Sequence, residues 1–484
     1  MRFIEMLERA GLPRAGFPDI PITGLTADSR KVGPGFLFAA LPGARADGRR
    51  FIADAVQAGA AAVLAPEGTD WPPGVPPRPF ILDREPRRAL ALLAAAHAGA
   101  QPETLVAVTG TNGKTSTVDF LRQLWTASGR AAASIGTLGL IAPGHAGGAG
   151  LTTPDPVELA GTLAHLAREG VRCAAMEASS HGLDQFRLDG ARVTAAGFSN
   201  LTRDHLDYHG TLDVYRRAKL RLFAELLPHG APAVVNADMD AETFAALGDI
   251  AARRRLDLRG VGEAGAYFRL LAATPLPHGQ ALRVQTPAGL RDVEIALPGR
   301  FQADNFLLAA ALAEATGLAG VWALAPKLRG VRGRMELAVH LANGAAAYVD
   351  YAHTPDALER LLQALRPHTS GRLICVFGAG GDRDGGKRPL MGAIVARLAD
   401  LAIITDDNPR SENPAVIRAA IKAACPGALE IGDRAAAIEA GLAALCAGDV
   451  LVVAGKGHEQ GQTIGREVHP FDDVDVIRRL VGDA

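Results

Sequence analysis

The chain has 484 residues, of which 48% are hydrophobic and 21% charged, with 51 basic against 52 acidic residues. This balance is typical of a multi-domain globular protein and excludes collagen-like, coiled-coil and disordered chains. A net charge of −1 without a basic run argues against nucleic acid as a partner. The N-terminal stretch lacks a secretory apolar segment and no apolar run is long enough for a membrane span, so we expect a cytoplasmic protein. The four cysteines lie far apart, which predicts neither disulfides nor a zinc site.

The predicted elements fall into three blocks along the chain. Residues 1–99 contain short strand patterns and an Ala/Leu helix over 87–98. Residues 100–332 alternate apolar strands with helical patterns, and the strands are predicted at 105–109, 173–177, 193–199 and 233–236. The alternation restarts in residues 333–484, with strands at 346–350, 373–377, 401–405 and 450–454. We therefore predict an α/β fold of three domains: a small α/β N-terminal domain, a central P-loop-type doubly wound parallel sheet and a C-terminal Rossmann-like sheet.

A glycine-rich loop, GTNGKTS at 110–116, follows the first central strand and opens a helix. Its glycines let backbone N–H groups surround phosphate oxygens, Lys114 can reach the terminal phosphates, and the Thr115 hydroxyl can ligate Mg²⁺. Val108 stands where the longer form of such a loop has its first glycine. The pattern predicts a nucleotide phosphate site, and a glycine-rich turn with an incidental lysine is the alternative.

Polar residues near the ends of the following strands are candidates for metal binding and catalysis. Glu177 ends a strand and can hold a Mg²⁺ shared with nucleotide phosphates, or it is a surface carboxylate. His205 is either a metal ligand or a capping histidine. Lys219 lies in a helical pattern, where a solvated lysine is the plainer interpretation. Three arginines nearby would lower the pKa of its amine: Arg216, Arg217 and Arg221.

Together these motifs resemble the Mur ligases, ATP-dependent amide-forming enzymes of peptidoglycan precursor synthesis and thus of cell-wall growth, cell shape and division. The resemblance covers nearly the whole chain. It rests on DSR at 28–30, GTNGKTS at 110–116, TTPDP at 152–156, MEASSHGLDQFR at 176–187, NLTRDHLDYHG at 200–210, GRFQADN at 299–305, GRME at 333–336, VDYAHTPDALE at 349–359, FGAGGDRDGGKRPLMG at 377–392, TDDNPR at 405–410 and AGKGHE at 454–459.

The resemblance implies a UDP-binding domain at residues 1–99, an ATP-binding domain at 100–332 and an amino-acid-binding domain at 333–484. The catalytic residues that it implies are Lys114, Lys219, Glu177 and His205. It further implies that Lys219 is carbamylated to N6-carboxylysine. A neutral amine captures CO2 and becomes a hard oxygen ligand, which suits Mg²⁺. The implied ligands of two Mg²⁺ ions are Thr115, Glu177, His205 and the Lys219 carbamate.

The resemblance also assigns the two nucleotide sites. The ATP-binding residues that it implies are Gly110, Thr111, Asn112, Gly113, Lys114, Thr115, Ser116, Asn305, Arg334 and Asp350. Those implied for the UDP-MurNAc-dipeptide are Ala27, Ser29, Ala44, Arg45, Ala46, Thr152, Thr153, Ser179, Gln185 and Arg187. Family members often carry His-Gln-Ala where this chain has Ala44-Arg45-Ala46. Because the side chains differ, we expect these three residues to contact the UDP-MurNAc-dipeptide through their backbone.

The incoming amino acid is predicted from the C-terminal block. Asp407-Asn408-Pro409-Arg410 is similar to the DNPR signature of family members that add meso-diaminopimelate. That amino acid differs from lysine by a second carboxylate, and arginine binds a carboxylate through two parallel charge-assisted hydrogen bonds. The residues implied for diaminopimelate are Arg383, Asp407, Asn408, Pro409, Arg410, Gly455 and Glu459.

We therefore expect a monomeric ligase whose partners are small molecules. It would join meso-diaminopimelate to the D-Glu of UDP-MurNAc-L-Ala-D-Glu through an acyl phosphate, giving UDP-MurNAc-tripeptide, ADP and phosphate. Three alternatives stay open: the same reaction with L-Lys, a MurF-like or folylpolyglutamate-synthase-like ligase, and a regulatory module that uses ATP as a conformational switch. Phosphate release that depends on both the dipeptide and the amino acid separates the ligases from the switch.

Overall fold

The structure is a computed structural model that describes residues 1–43, 46–148 and 150–482. The chain folds as two compact units, residues 1–266 with 308–319 and residues 267–307 with 320–484. The predicted boundaries near residues 99 and 332 stay a prediction. In the described part of the chain, no helix combines the length and the apolar composition that crossing a membrane requires. All four cysteines are free, and Cys446 is the exposed one.

The first unit contains two sheets with helices packed against them. Its strands are β1 (Gly24–Thr26), β2 (Phe36–Ala39), β3 (Ala62–Pro66), β4 (Phe80–Asp83), β5 (Thr104–Thr109), β6 (Ala132–Gly136), β7 (Gly139–Ala142), β8 (His145–Ala146), β9 (Cys173–Glu177), β10 (Ala195–Phe198), β11 (Pro232–Asn236) and β12 (Asp257–Gly262). Its helices are α1 (Phe3–Arg9), α2 (Ile52–Gln57), α3 (Pro86–Ala98), α4 (Lys114–Ala127), α5 (Pro156–Arg168), α6 (Ser180–Asp184), α7 (Leu206–His209), α8 (Leu212–Arg221) and α9 (Ala241–Arg254).

The strand order places the motif-bearing strands in the middle of the larger sheet. The small sheet is parallel in the order β1-β2-β3-β4. The larger one runs β12-β11-β10-β5-β9-β6-β7-β8, and only the pairings of β6 with β7 and β7 with β8 are antiparallel there. β5 is therefore flanked by β9 and β10, so the loops that follow these three strands meet at one edge of the sheet.

The second unit begins with an antiparallel meander, β13 (Phe268–Leu276), β14 (Gly279–Thr286) and β15 (Gly289–Ile295). Helix α10 (Arg300–Ala315) is divided between the units. Its residues up to Leu307 belong to the second unit, and those from Leu308 belong to the first. The remaining strands are β16 (Glu336–His340), β17 (Ala346–Asp350), β18 (Leu373–Phe377), β19 (Leu401–Ile404), β20 (Leu429–Glu430), β21 (Val450–Ala454), β22 (Gly461–Ile464) and β23 (Glu467–Pro470). The remaining helices are α11 (Val321–Leu324), α12 (Pro355–Leu365), α13 (Lys387–Leu398), α14 (Pro414–Lys422), α15 (Arg434–Ala443) and α16 (Asp473–Val481).

The second sheet of this unit has the order β16-β17-β21-β18-β19-β20, with β16 antiparallel and the others parallel. Its central strands are buried on both faces, which explains their continuous apolar sequences. β22 and β23 form a separate hairpin. The start of α12 is set by local sequence. Thr354 caps the helix by accepting the N–H of Ala357, and Pro355 occupies the first turn.

The α/β prediction with parallel sheets is confirmed, and each predicted strand named above lies within two residues of an observed one. The β13–β15 meander and the β22–β23 hairpin are additions that the sequence reading missed. Strand β13 buries only Phe268 and Leu270, and its other residues are exposed or half-buried. Its side chains on one face are solvated, so a search for apolar parallel strands does not find it.

Candidate active site

The phosphate loop sits between β5 and α4, as predicted. Gly110 has φ 140° and Gly113 has φ 85°, backbone conformations that favour glycine. A Cβ on Gly110 would lie 3.1 Å from the backbone of Asn200, the second residue after β10. Asn200 holds the loop: its carbonyl accepts the N–H of Thr111 at 2.8 Å and its Oδ1 accepts that of Asn112 at 3.0 Å. These two hydrogen bonds hold the loop against the residues that follow β10.

Two lysines converge on this loop. Lys114 Nζ donates to the carbonyls of Gly110 at 2.9 Å and Thr111 at 2.8 Å. Lys219 Nζ donates to the same Gly110 carbonyl at 2.7 Å, although 109 residues separate the two in sequence. Helix α8 therefore brings Lys219 to the phosphate loop, and the expectation of a solvated lysine is wrong. Tyr215, one turn earlier, lies beneath Lys219 Nζ, 4.5 Å from its ring centroid.

The environment of Lys219 favours the neutral amine. The residue is 1% exposed. Burial lowers the pKa of the Lys219 ammonium well below its usual range, and the Lys114 cation acts in the same direction while Asp204 opposes it. The attribution of this shift to Arg216, Arg217 and Arg221 is wrong, because burial is its main cause and Lys114 is the cation that adds to it. Arg216 pairs with Glu242 and Arg221 with Asp189, so their charges are compensated.

Glu177 is a buried carboxylate next to the phosphate loop, so the surface alternative is wrong. It is 1% exposed and ends β9. Its Oε1 accepts hydrogen bonds from Thr115 Oγ1 at 2.9 Å and from the Thr137 N–H at 2.8 Å. Two of the predicted Mg²⁺ ligands, the Thr115 hydroxyl and the Glu177 carboxylate, are therefore in direct contact.

These oxygens suit the predicted metal. Mg²⁺ is usually held by one or two carboxylates together with substrate phosphates rather than by a cage of protein ligands. Among the described residues, no group of three or more His, Cys, Asp or Glu side chains is placed to hold a metal ion. His205 has φ 51°, lies 3.5 Å from the Asp204 carboxylate and packs against the ring of His181 at 5.0 Å. Its contacts leave its role as a ligand a prediction.

Four of the residues predicted for the dipeptide form one hydrogen-bonded group. Thr153 Oγ1 donates to the Glu177 carbonyl at 2.8 Å and accepts from Ser179 Oγ at 3.0 Å. Arg187 donates to the Thr153 carbonyl at 2.7 Å and to Gln185 Oε1 at 2.8 Å. This group adjoins the predicted metal carboxylate through the backbone of Glu177 itself.

The other residues of that prediction lie in different places. Thr152 Oγ1 is 3.2 Å from Thr137 Oγ1, beside Glu177. Ser29 begins a 3-10 turn capped by Asp28, near the small parallel sheet, and Ala27 immediately precedes that cap. The Ala46 carbonyl accepts the Gly43 N–H at 3.0 Å. The predicted contacts of Ala44 and Arg45 lie outside the described residues.

In the second unit, Asp350 and Arg334 belong to one cluster. Asp350 ends β17 and accepts the N–H groups of Met335 at 2.7 Å and Ala352 at 2.8 Å. Burial raises the pKa of Asp350, whereas the nearby Arg334 cation opposes the shift. The Arg334 guanidinium lies 5.0 Å from the Tyr351 ring centroid. Asn305, on α10, is buried and donates to Gln302 at 3.0 Å on the same helix.

The DNPR segment follows β19 and packs against the glycine-rich loop after β18. The Gly381 N–H donates to the Asn408 carbonyl at 2.9 Å, and Arg410 Nη1 donates to the Gly381 carbonyl at 2.8 Å. Arg410 has φ 49° and bonds through its backbone to the β22–β23 hairpin, at Thr463 and Gly465. The hairpin therefore sets the position of this arginine.

The residues after β21 complete the group. Asn408 Nδ2 donates to Glu459 Oε2 at 2.8 Å. A Cβ on Gly455, whose φ is 121°, would collide with the Asp407 carboxylate. Two pairs of the residues predicted for diaminopimelate lie together, Asn408 with Glu459 and Asp407 with Gly455. Arg410 instead contacts Gly381 of the neighbouring loop. Pro409 lies between Asn408 and Arg410 in the sequence, and Arg383 is exposed on the loop after β18.

Sequence reasoning missed two residues that organise these groups. Thr137 bonds Glu177 but carries no sequence signal, because its contact depends on the pairing of β6 with β9. Lys456 is completely buried beside Asn408 and Glu459. It stands inside the AGKGHE stretch and could have been found there as a charged residue directly after an apolar strand.

The parallel sheet, the phosphate loop and its buried carboxylate define a nucleotide-binding α/β enzyme. Family models match in three places: the Mur ligase family catalytic domain at residues 21–98, the Mur ligase middle domain at 108–313 and the glutamate ligase domain at 333–457. The chain belongs to the Mur ligase family.

Relatives that match almost the whole chain support the membership. The UDP-N-acetylmuramoyl-L-alanyl-D-glutamate--2,6-diaminopimelate ligase of Caulobacter vibrioides is 56% identical over 473 residues, 96% of each chain. The Rhizobium meliloti protein of the same name is 52% identical over 467 residues, 96% of this chain and 95% of its own. A solved structure with that name has a TM-score of 0.76 at 34% identity and covers 100% of this chain and 99% of its own. The Thermotoga maritima MurF ligase in complex with ADP, with TM-score 0.61 at 18% identity over 94% of this chain and 96% of its own, shows the shared fold.

Proposed function

We propose that this chain is an ATP-dependent ligase that joins meso-diaminopimelate to the D-glutamyl carboxylate of UDP-MurNAc-L-Ala-D-Glu. The observation that carries this proposal is the identity of 56% over 96% of both chains to a relative named for that reaction. The DNPR segment and its contacts with Glu459 support the choice of amino acid. We further propose that the protein is a cytoplasmic monomer, as the sequence predicts.

The first step activates the carboxylate. The D-glutamyl carboxylate attacks the γ-phosphate of ATP in line, and ADP leaves as the acyl phosphate forms. The loop of residues 110–116 binds the phosphates, with Lys114 as the cation placed to meet the charge that develops on them. Thr115 and Glu177 would hold Mg²⁺, joined by His205 and a carbamate on Lys219 for a second ion. Bound Mg²⁺ neutralises phosphate charge and polarises the phosphoryl group.

The second step forms the amide. The free amine of diaminopimelate attacks the acyl carbon, a tetrahedral intermediate forms, and phosphate leaves. Arg410 would bind the distal carboxylate, while Asn408 and Glu459 would hold the amino-acid end beside it. Lysine lacks the second carboxylate, so Arg410 would be left without its partner, which disfavours lysine.

The test is product formation by the purified chain with ATP, Mg²⁺, the UDP-linked dipeptide and meso-diaminopimelate. We expect ADP, phosphate and a product with the mass of the UDP-linked tripeptide. No phosphate should be released when the UDP-linked dipeptide or diaminopimelate is omitted. Lys114→Met should abolish the reaction, whereas Lys327→Met, at an exposed lysine, is the matched control. Phosphate release independent of the amino acid would overturn the proposal in favour of an ATP-driven switch, and preference for L-Lys would overturn the choice of amino acid.

A further inference from the structure

A buried cation lies within the group of residues proposed to bind the amino acid. Lys456 directly follows Gly455 at the end of β21, and its side chain is 0% exposed. A lysine is almost never fully buried unless its charge is compensated. The role inferred below rests on the proposed function, because it concerns the site for diaminopimelate.

The contacts of Lys456 join the two polar side chains of that site. Its Nζ donates to Asn408 Oδ1 at 3.2 Å and to Glu459 Oε2 at 3.2 Å. Asn408 Nδ2 donates to the same Glu459 Oε2 at 2.8 Å, and Asn408 Oδ1 also accepts the Thr463 N–H at 2.8 Å. The three side chains thus close a ring of hydrogen bonds, supported by the β22–β23 hairpin.

This ring fixes both the orientation and the charge of the site. Two donors meet Asn408 Oδ1, so the amide nitrogen must face Glu459. Among the described residues, both hydrogen bonds to the Glu459 carboxylate fall on Oε2, and the side chain is 34% exposed. Oε1 is therefore available to accept a further hydrogen bond. Lys456 supplies the positive charge that compensates this carboxylate.

The neighbouring buried cation does not serve the same purpose. Arg434 is also 0% exposed, but it forms a bidentate pair with Asp473 at 2.7 Å for both hydrogen bonds. Its charge is therefore already compensated. We propose that Lys456 is a positioning residue that sets the Asn408 amide and the Glu459 carboxylate for binding the amino-acid substrate.

The test is the steady-state kinetics of Lys456→Met, which keeps the volume of the side chain and removes its charge. A hydrogen bond to a charged group is lost, so we expect the KM for diaminopimelate to rise about 10- to 100-fold. The KM values for ATP and the UDP-linked dipeptide should stay within about twofold. Lys422→Met is the matched control, because Lys422 Nζ bonds the Ala428 carbonyl elsewhere in the same unit and should leave all three KM values unchanged.

A double-mutant cycle with Glu459→Gln separates positioning from a general loss of stability. If Lys456 acts through Glu459, Lys456→Met should raise the KM for diaminopimelate less than about threefold in the Glu459→Gln background. Equal effects in both backgrounds, or an unchanged KM in Lys456→Met, would overturn the inference. Should Lys456→Met not fold, Lys456→Gln takes its place, with the same outcomes. Failure of the unmodified chain to join diaminopimelate would instead overturn the proposed function.

Discussion

Gly136 and Glu177 provide a sharp test of the catalytic role proposed for the buried carboxylate. Gly136 is the last residue of β6, and a Cβ built there would lie 2.7 Å from Cγ and Cδ of Glu177 and closer still to Oε1. In Gly136→Ala, the new Cβ would therefore push the buried Glu177 carboxylate aside. This movement would break its hydrogen bonds to Thr115 and Thr137. The substitution therefore displaces a proposed metal ligand without changing its chemistry.

The expected loss of activity in Gly136→Ala follows from the hydrogen bonds that Glu177 would lose. Losing one bond to a charged group costs about 1.5 to 3 kcal/mol. If that bond orients the carboxylate for catalysis, kcat/KM for ATP should fall about 10- to 100-fold. The assay is phosphate release at saturating dipeptide and diaminopimelate, over a range of Mg²⁺ concentrations.

Gly161→Ala provides the control for Gly136→Ala. Gly161 lies within α5, and a Cβ there would meet no atom within 4 Å. Alanine replaces glycine in a helix with a gain of about 1 kcal/mol, so activity should not change. A folded Gly136→Ala variant whose activity is within twofold of the Gly161→Ala variant would refute the reasoning about Glu177.

Three further predictions concern specificity, the proposed carbamate and stability. Arg410→Ala should reduce the preference for diaminopimelate over lysine at least about tenfold, measured as a ratio of kcat/KM values, because the partner of the second carboxylate is lost; an unchanged ratio contradicts the assignment. Removing CO2 and bicarbonate should lower the activity and bicarbonate should restore it, because a neutral Lys219 needs CO2 to form its carbamate; a rate indifferent to CO2, with no additional density on Lys219 in a crystal, contradicts this. Arg434→Met should lower the free energy of unfolding by about 3 to 5 kcal/mol in urea titrations, since it leaves Asp473 buried without its partner. Adding Asp473→Leu should recover most of that loss, and an undiminished loss would contradict the account.

The features that the sequence determined by itself are those with a local physical cause. Closely spaced glycines followed by Lys-Thr at a strand-to-helix junction predict the phosphate loop, and continuous apolar segments predict the buried parallel strands. The similarity of Asp407–Arg410 to the DNPR signature is visible in the sequence because its four residues are consecutive. The resemblance implied that this segment and Glu459 bind the same amino acid, which stays a prediction, and their hydrogen bond through Asn408 is visible only in the structure.

Tertiary structure alone decided the environments of Lys219, Glu177 and Lys456. A helix pattern does not reveal that Lys219 reaches a carbonyl 109 residues away, nor that burial rather than nearby arginines lowers its pKa. The Thr137–Glu177 bond depends on the pairing of β6 with β9. Lys456 is 0% exposed and donates to Asn408, 48 residues away in the sequence. Burial and charge compensation depend on which distant segments pack together, and no local pattern of residues encodes that packing.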